Sequence, residues 1–444
     1  MQSTIVVFTR DLRVRDNPAL HTAVASAGPT IGLFVYDPEA LDRHQSPNRL
    51  AYLEESLTDL AHSLSRRDVG LEVERSNRAW TAEIQAAAAH HDAATVHITR
   101  DYSLFARRRT AQLRTTLERD GVELVEHPGV AVVEPGRVHP AERDHYAIFT
   151  PFYRRWRETE WGVPLPAPRN AGTDVAAIAL PAGGESSTSP GRELGGETAA
   201  LARLARWARS DLAHYSEFHD ALAADRTSRI SAALHFGCLS PREVAVRLRD
   251  RPGAEAFVRQ IAWRDFYLQL LAARPGTAID DVRPRSFQWR SSAKDFETWC
   301  RGDTGFPIVD AAMRQLRAEG FVHNRARMVA ASFLTKDLAI DWRLGAAEYM
   351  RWLTDGDIAQ NQLNWQWVAG TGTDSNPHRI FNPTRQSQRF DADGAYIRRY
   401  VPELRDVARE EIHEPNPLTR AMVGYPAPMV DHAEAIAEYR ARRG

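Results

Sequence analysis

The chain has 444 residues, 43% of them hydrophobic and 26% charged, with a formal net charge of -1; that length exceeds one compact core, so two or three domains are expected. No run approaches the roughly 20 apolar residues of a membrane span, and the strand-like IVVF near the start lacks a basic n-region or cleavage site, so no secretory signal is expected. Two cysteines, Cys238 and Cys300, exclude a disulfide scaffold, a four-thiolate cluster and a zinc site built on thiolates alone; a reducing, cytoplasmic compartment is the expectation.

In chain order, the first elements are short, apolar, β-branched runs at Ile5–Thr9, Ile31–Tyr36, Leu71–Glu74, Thr95–Thr99 and Glu123–His127. Helical stretches such as Arg49–Ser65 and Thr81–His91 lie between them. This alternation predicts an α/β domain over residues 1–130, a five-stranded parallel sheet wound on both faces. No G-x-G-x-x-G follows the first strand, so a ligand at the carboxyl ends of the strands has no motif behind it. Residues 131–198 are expected to be a connector; 163–197 are rich in Pro, Gly, Ser and Ala, with PAGGESSTSPG at the centre. From 199 to 444 the periodicity is helical, which predicts a larger all-α domain. Ser240-Pro241-Arg242-Glu243 reads as a helix start: a serine cap, proline in the first turn and glutamate three after the cap. Eight of the eleven tryptophans lie after residue 200, so aromatic-dependent chemistry belongs to this half.

A net charge near zero argues against a nucleic-acid partner only if the basic residues are dispersed. Of the 57 basic residues only Lys294 and Lys336 are lysines. The arginine bias reads either as planar, bidentate phosphate contacts or as base composition.

Four blocks carry candidate chemistry. Thr227-Ser228-Arg229-Ile230-Ser231 precedes an apolar helical stretch, and reads as a phosphate site or as an ordinary helix cap. In FVRQIAWRDFY, Phe257, Ile261, Arg264 and Leu268 share one helical stripe and Gln260, Trp263 and Tyr267 a neighbouring one. This is either a surface for flat, hydrogen-bonding rings or a core helix with satisfied polar groups. In the third block Arg327 is placed to pair with Asp355 and Asp357, and His323 and Arg325 to face phosphate. The fourth, Asn361-Gln362-Leu363-Asn364-Trp365-Gln366-Trp367, sets amides beside tryptophans. Trp365, Trp342 and Trp289 read either as core or, if stacked, as an electron relay.

Together these blocks resemble the photolyase/cryptochrome family, most of all its class I cyclobutane pyrimidine dimer photolyases. TSRISAALHFGCLSPREV, WRDFY, DTGFPIVDAAMRQL, HNRARMVAASFLTKDLAIDWR, DGDIAQNQLNWQW and TGTDSNPHRIFNPTRQSQRF all stand in that family's order, with FTRDLRVRDNPAL at the start. The resemblance implies FAD in the helical domain. Tyr215 and Thr227, Ser228, Arg229, Ile230 and Ser231 match phosphate-binding residues. Arg264, Asn324, Arg327, Asp355 and Asp357 match residues around the sugar and flavin, and Asn361 the residue beside flavin N5. That position is typically Asn in photolyases, Asp in plant cryptochromes and Cys in insect ones. Trp365, Trp342 and Trp289 fall on the three tryptophans that reduce the flavin by light.

The implied activity is light-driven repair of cyclobutane pyrimidine dimers in single- or double-stranded DNA, by electron transfer from reduced FAD to a flipped-out lesion. Trp263 and Trp367 match the walls of the lesion pocket, and Asn324 and Met328 its floor. Arg325, Arg385 and Arg389 are candidate phosphate contacts. The six-four photoproduct branch has histidines where this chain has Asn324 and Met328. Gln260 departs from the glutamate usual in dimer photolyases; it keeps an acceptor but bears no charge. A cryptochrome-like photoreceptor with weak or no repair is the alternative; a long signalling tail, frequent in cryptochromes, is not expected here. PNRLAYLEESL and RDYS look like deazaflavin-type antenna segments through Arg49 and Asp101, although Ser103 lacks the expected carboxylate. The antenna expected is 8-hydroxy-5-deazaflavin, with the folate methenyltetrahydrofolate as alternative; an iron–sulfur cluster is not expected, and the family default is a monomer.

Overall fold

The computed structural model describes residues 2–26, 28–43, 46–75, 78–168 and 188–442. Most of the PAGGESSTSPG segment lies outside them. Two compact units form. One contains the described residues up to 168 with Glu193–Tyr215 and Ser228–Gly276; the other contains Thr188–Arg192, Ser216–Thr227 and the chain from Thr277 onward.

In the first unit five strands form one sheet: β1 (Ser3–Val7), β2 (Thr30–Val35), β3 (Gly70–Glu74), β4 (Ala93–Thr99) and β5 (Glu123–His127). Every pairing is parallel and the order is β3-β2-β1-β4-β5. Ile5 pairs with Ile31 on one side and Val96 on the other. The β-branched strands are buried because parallel crossovers put helices on both faces. Ile5, Val7, Leu33, Ile98, Leu113 and Leu124 share one buried cluster. The chain crosses in opposite directions from β1 to β2 and back to β4, so the switch point of this sheet lies beyond the ends of β1 and β4.

The predicted connector is less uniform than its composition suggests. It contains a helix, Phe149–Glu158, whose Phe149, Phe152, Tyr153 and Trp156 are buried. The Ser240 hydroxyl accepts from Glu243 N at 3.2 Å, as the sequence predicts. The Glu243 carboxylate takes the Arg15 guanidinium at 2.8 and 2.9 Å.

Among the described residues every regular element after β5 is helical. In the second unit the helices Pro307–Glu319, Asn324–Ser332, Trp342–Trp352 and Ile358–Ala369 surround one apolar core that includes Trp299, Trp342, Tyr349 and Trp365. A π-turn, Phe333–Asp337, follows the second of these helices. It buries Lys336, whose ammonium donates to Ala369 O at 2.7 Å and Tyr439 Oη at 2.6 Å. No helix of the described residues is long and apolar enough to cross a membrane.

Candidate active site

The expected site residues divide between the two units. Tyr215, Ser228–Ser231, Gln260, Trp263 and Arg264 lie in the first, with Arg49 and Asp101; the others lie in the second.

In the first unit the Ala254–Ala273 helix carries the aromatic block. Its apolar stripe is buried at Phe257, Ile261 and Leu268, while Gln260 is exposed and Trp263 half-buried. One face of Trp263 lies flat on Phe149, centroids 3.7 Å apart and planes 7° from parallel. Phe266 meets the Trp263 ring edge-on at 5.5 Å and Tyr267 lies tilted to it at 5.6 Å. Phe149 was missed by sequence reasoning; the apolar spacing of FTPFYRRW was the available signal. Arg264 donates to the carbonyls of Val130 and Leu234. Asp265 beside it is fully buried and accepts from Val132 N, Val133 N and Trp156 Nε1. Burial pushes its carboxyl up to about 6. The two neighbours thus fasten this helix to the segment after β5.

Tyr215 meets Trp207 and Phe257 edge-on at 5.8 and 5.6 Å. The short helix Ser231–Phe236 starts at Ile230 without a side-chain cap, so the cap reading of the hydroxyl block is not realised. Arg229 is held at φ 49°, a region costly for a non-glycine residue. At the switch point Asp101 accepts from Arg10 Nη1 at 3.2 Å and Ser103 N at 3.0 Å. Ser103 caps the Leu104–Arg119 helix, accepting from Ala106 N at 3.2 Å. Arg49 sits in the first turn of the Pro47–Ser65 helix.

In the second unit Arg327 and Asp355 form the expected pair, with Nη2 at 3.1 and 2.8 Å from the two carboxylate oxygens. Asp357 takes a different part: it caps the Ile358–Ala369 helix through Gln360 N at 3.0 Å. That helix carries Asn361, Trp365 and Trp367. The Asn361 amide donates to Ala346 O at 3.0 Å and is 8% exposed. Trp365 lies against Gly345, where a methyl group would overlap its ring. Its aromatic neighbours include Tyr349 at 4.9 Å and Trp299 at 6.1 Å. Trp342 is fully buried and Trp289 half-buried against the same core. The hydroxyl oxygens of Thr227 and Thr354 are buried and bond to no protein group, a demand that a bound polar ligand meets.

Asn324 is exposed, and its Nδ2 lies 3.8 Å from Met328 Sδ one turn along the Asn324–Ser332 helix. His323 is 3% exposed, and its Nδ1 accepts from Arg325 N at 3.2 Å, capping that helix. Arg325 is held by both oxygens of Asp220, at 3.3 and 2.7 Å, and stacks on Phe390. A phosphate must therefore compete for it. Arg385 and Arg389 are exposed on the Pro383–Phe390 helix. Trp367 is half-buried under the Arg379 guanidinium, 5.2 Å from its ring.

A family model described as DNA photolyase matches residues 4–169, and one described as the FAD binding domain of DNA photolyase matches residues 257–443. The chain is 46% identical to the deoxyribodipyrimidine photo-lyase of Streptomyces griseus, over 100% of both chains. It superposes on a class III photolyase from Agrobacterium tumefaciens with a TM-score of 0.90 and 32% identity, covering 100% of this chain and 97% of that one. A cryptochrome from Synechocystis gives a TM-score of 0.90 and 29% identity, covering 99% of each chain.

Proposed function

The chain belongs to the DNA photolyase family, and on that premise we propose that it is a light-driven enzyme splitting cyclobutane pyrimidine dimers in DNA. The observation that carries the proposal is one helix. Within seven residues Ile358–Ala369 holds Asn361 buried for the flavin edge, Trp365 buried for electron relay and Trp367 half-buried for a base.

The residues fit FAD. Two buried hydroxyls at Thr227 and Thr354 await polar partners, and the Arg327–Asp355 pair supplies donors and acceptors for a sugar and an isoalloxazine edge. Tyr215, Ser228, Arg229, Ile230 and Ser231 serve the phosphates, Arg264, Asn324 and Asp357 the remainder. When bound and reduced, the flavin supplies the light-driven electron.

The chain's own groups do the rest. Asn361 is aimed by its bond to Ala346 O, so its carbonyl oxygen is the acceptor offered to the cofactor. Trp263, propped by Phe149, offers a flipped lesion an aromatic surface, and in the second unit Trp367, Asn324 and Met328 serve as lesion contacts. A dimer stacks poorly and costs less to flip than a sound pair. Arg385 and Arg389 meet phosphates, with Arg325 joining if Asp220 yields, so affinity falls with salt. Gln260, exposed beside Trp263, contacts the lesion without charge. Trp365, Trp342 and Trp289 return the flavin to its reduced state. The antenna is 8-hydroxy-5-deazaflavin, or a folate, at the switch point marked by Arg49 and Asp101. We take the enzyme to be a cytoplasmic monomer.

The test is an oligonucleotide bearing one cyclobutane thymine dimer, mixed with protein whose flavin has been reduced. Dimers are lost under near-ultraviolet or blue light and persist in the dark. Persistence in the light, with reduced flavin bound, would move the reading to a cryptochrome-like photoreceptor.

A further inference from the structure

We infer that Asp281 is the proton acceptor of the middle relay tryptophan, and that its charge stabilises the electron hole there. The inference rests on the relay reading of Trp365, Trp342 and Trp289 proposed above. Trp342 is fully buried, and its indole Nε1–H donates to Asp281 Oδ1 at 2.9 Å.

The contact is built from both sides. Gln366, the residue after Trp365, is fully buried and spends its side-chain amide on the segment carrying Asp281. Its Nε2 donates to Thr277 O at 2.8 Å and Asp280 O at 3.2 Å, and its Oε1 accepts from Val282 N at 2.8 Å. The first relay tryptophan is thus followed by the side chain that fixes the acid on the second. Arg343 brings the opposite charge. Its guanidinium carbon lies 4.6 Å from the centre of the Trp342 ring and its Nη2 is 3.0 Å from Asp281 Oδ1.

Coulomb energy scales inversely with distance, and the carboxylate oxygen at the indole edge is closer than the cation on the face. The nearer charge wins, so Trp342 is easier to oxidise than an indole bonded to a neutral acceptor. Loss of an electron makes the indole N–H acidic, and no bulk water reaches this ring to take the proton. Oxidised Trp365 takes one electron from Trp342; the Trp342 N–H bond breaks, and its proton forms an O–H bond on Asp281. Trp365 is restored, Trp342 is left as a neutral radical and Asp281 as a neutral acid. An electron from Trp289, or from an external thiol, brings the proton back.

The test is transient absorption on the flavin-containing protein in a Trp289→Phe background, which stops the hole at Trp342. Cationic and neutral tryptophan radicals absorb at distinguishable wavelengths. With Asp281 present the neutral radical forms. Asp281→Asn retains the cation and shortens the hole's lifetime about tenfold or more, given one charge removed at hydrogen-bond distance. Asp281→Glu restores the neutral radical, and Arg343→Gln lengthens the lifetime, a reversal of sign that a purely structural role would not give. In the dark, the indole resonance of Trp342 in a 15N-tryptophan spectrum moves on Asp281→Asn. An unchanged spectrum and lifetime in Asp281→Asn overturn the inference, whereas unimpaired flavin photoreduction in Trp342→Phe sinks the relay reading with it.

Discussion

Phe149→Leu should weaken lesion binding through Trp263 without touching DNA. Phe149 is 5% exposed and lies 3.7 Å from the Trp263 ring, nearly parallel. Such a pair is worth about 0.5–1.5 kcal/mol beyond the area it buries. Leucine keeps most of the apolar volume, so the stack itself is what disappears. If that energy holds Trp263 in its binding orientation, affinity for a dimer falls by about two- to tenfold. The contacts at 5.5 and 5.6 Å from Phe266 and Tyr267 still restrain the indole, so the lower half of that range is expected. Fluorescence anisotropy with a dimer-bearing oligonucleotide and its undamaged twin measures both affinities, and thermal melting reports the fold. Affinity for the damaged strand should drop while the undamaged one, bound through phosphates, is unaffected. A lowered melting temperature with unchanged lesion affinity would reduce Phe149 to a core residue and remove the wall from the account.

Gln260→Glu should raise the repair yield per photon, since a carboxylate accepts lesion hydrogen bonds more strongly than an amide; equal yields for both versions discard that idea. Arg327→Leu leaves Asp355, 6% exposed at its side chain, without its cation. The cost is about 2–3 kcal/mol, below the range for a fully buried pair because a quarter of the arginine side chain meets water. FAD should be lost on purification, read from the flavin-to-protein absorbance ratio. Burial raises the Glu197 carboxyl from 4.5 to about 7. A raised folded value means its stabilising contribution is complete below about pH 4 and is lost as pH climbs through 7. Glu197→Gln should therefore flatten the decline of melting temperature between pH 5 and 8, although it weakens the bonds from Val14 N and Arg15 N; a slope identical to the parent's contradicts this.

The central strands β1, β2 and β4 were legible because a parallel strand buried on both faces writes its own signal, a short β-branched run between helices, and the part-exposed edge strands β3 and β5 followed from the strand–helix alternation. The Ser240 start was legible because a cap is local. What escaped was long-range or hidden by composition. The Pro- and Gly-rich tract drew 131–198 together as a connector and concealed the helix that supports Trp263. Nothing near Asp281 in sequence announces the indole of Trp342, sixty-one positions on. His323 and Arg325 read as phosphate ligands by residue type. The sequence did not announce that the first also caps a helix or that Asp220 holds the second. Arg327 and Asp355 were read correctly because two opposite charges in a tryptophan-rich helical stretch must find partners.

The fluorescence lifetime of the reduced flavin, with and without a dimer-bearing oligonucleotide, tests most directly whether an electron passes from the flavin to a bound lesion. The lifetime should shorten with damaged DNA, stay unchanged with the undamaged sequence, and recover when Trp263 and Trp367 are both replaced by alanine. Equal lifetimes with damaged and undamaged DNA, at saturating concentrations of each, would contradict the account.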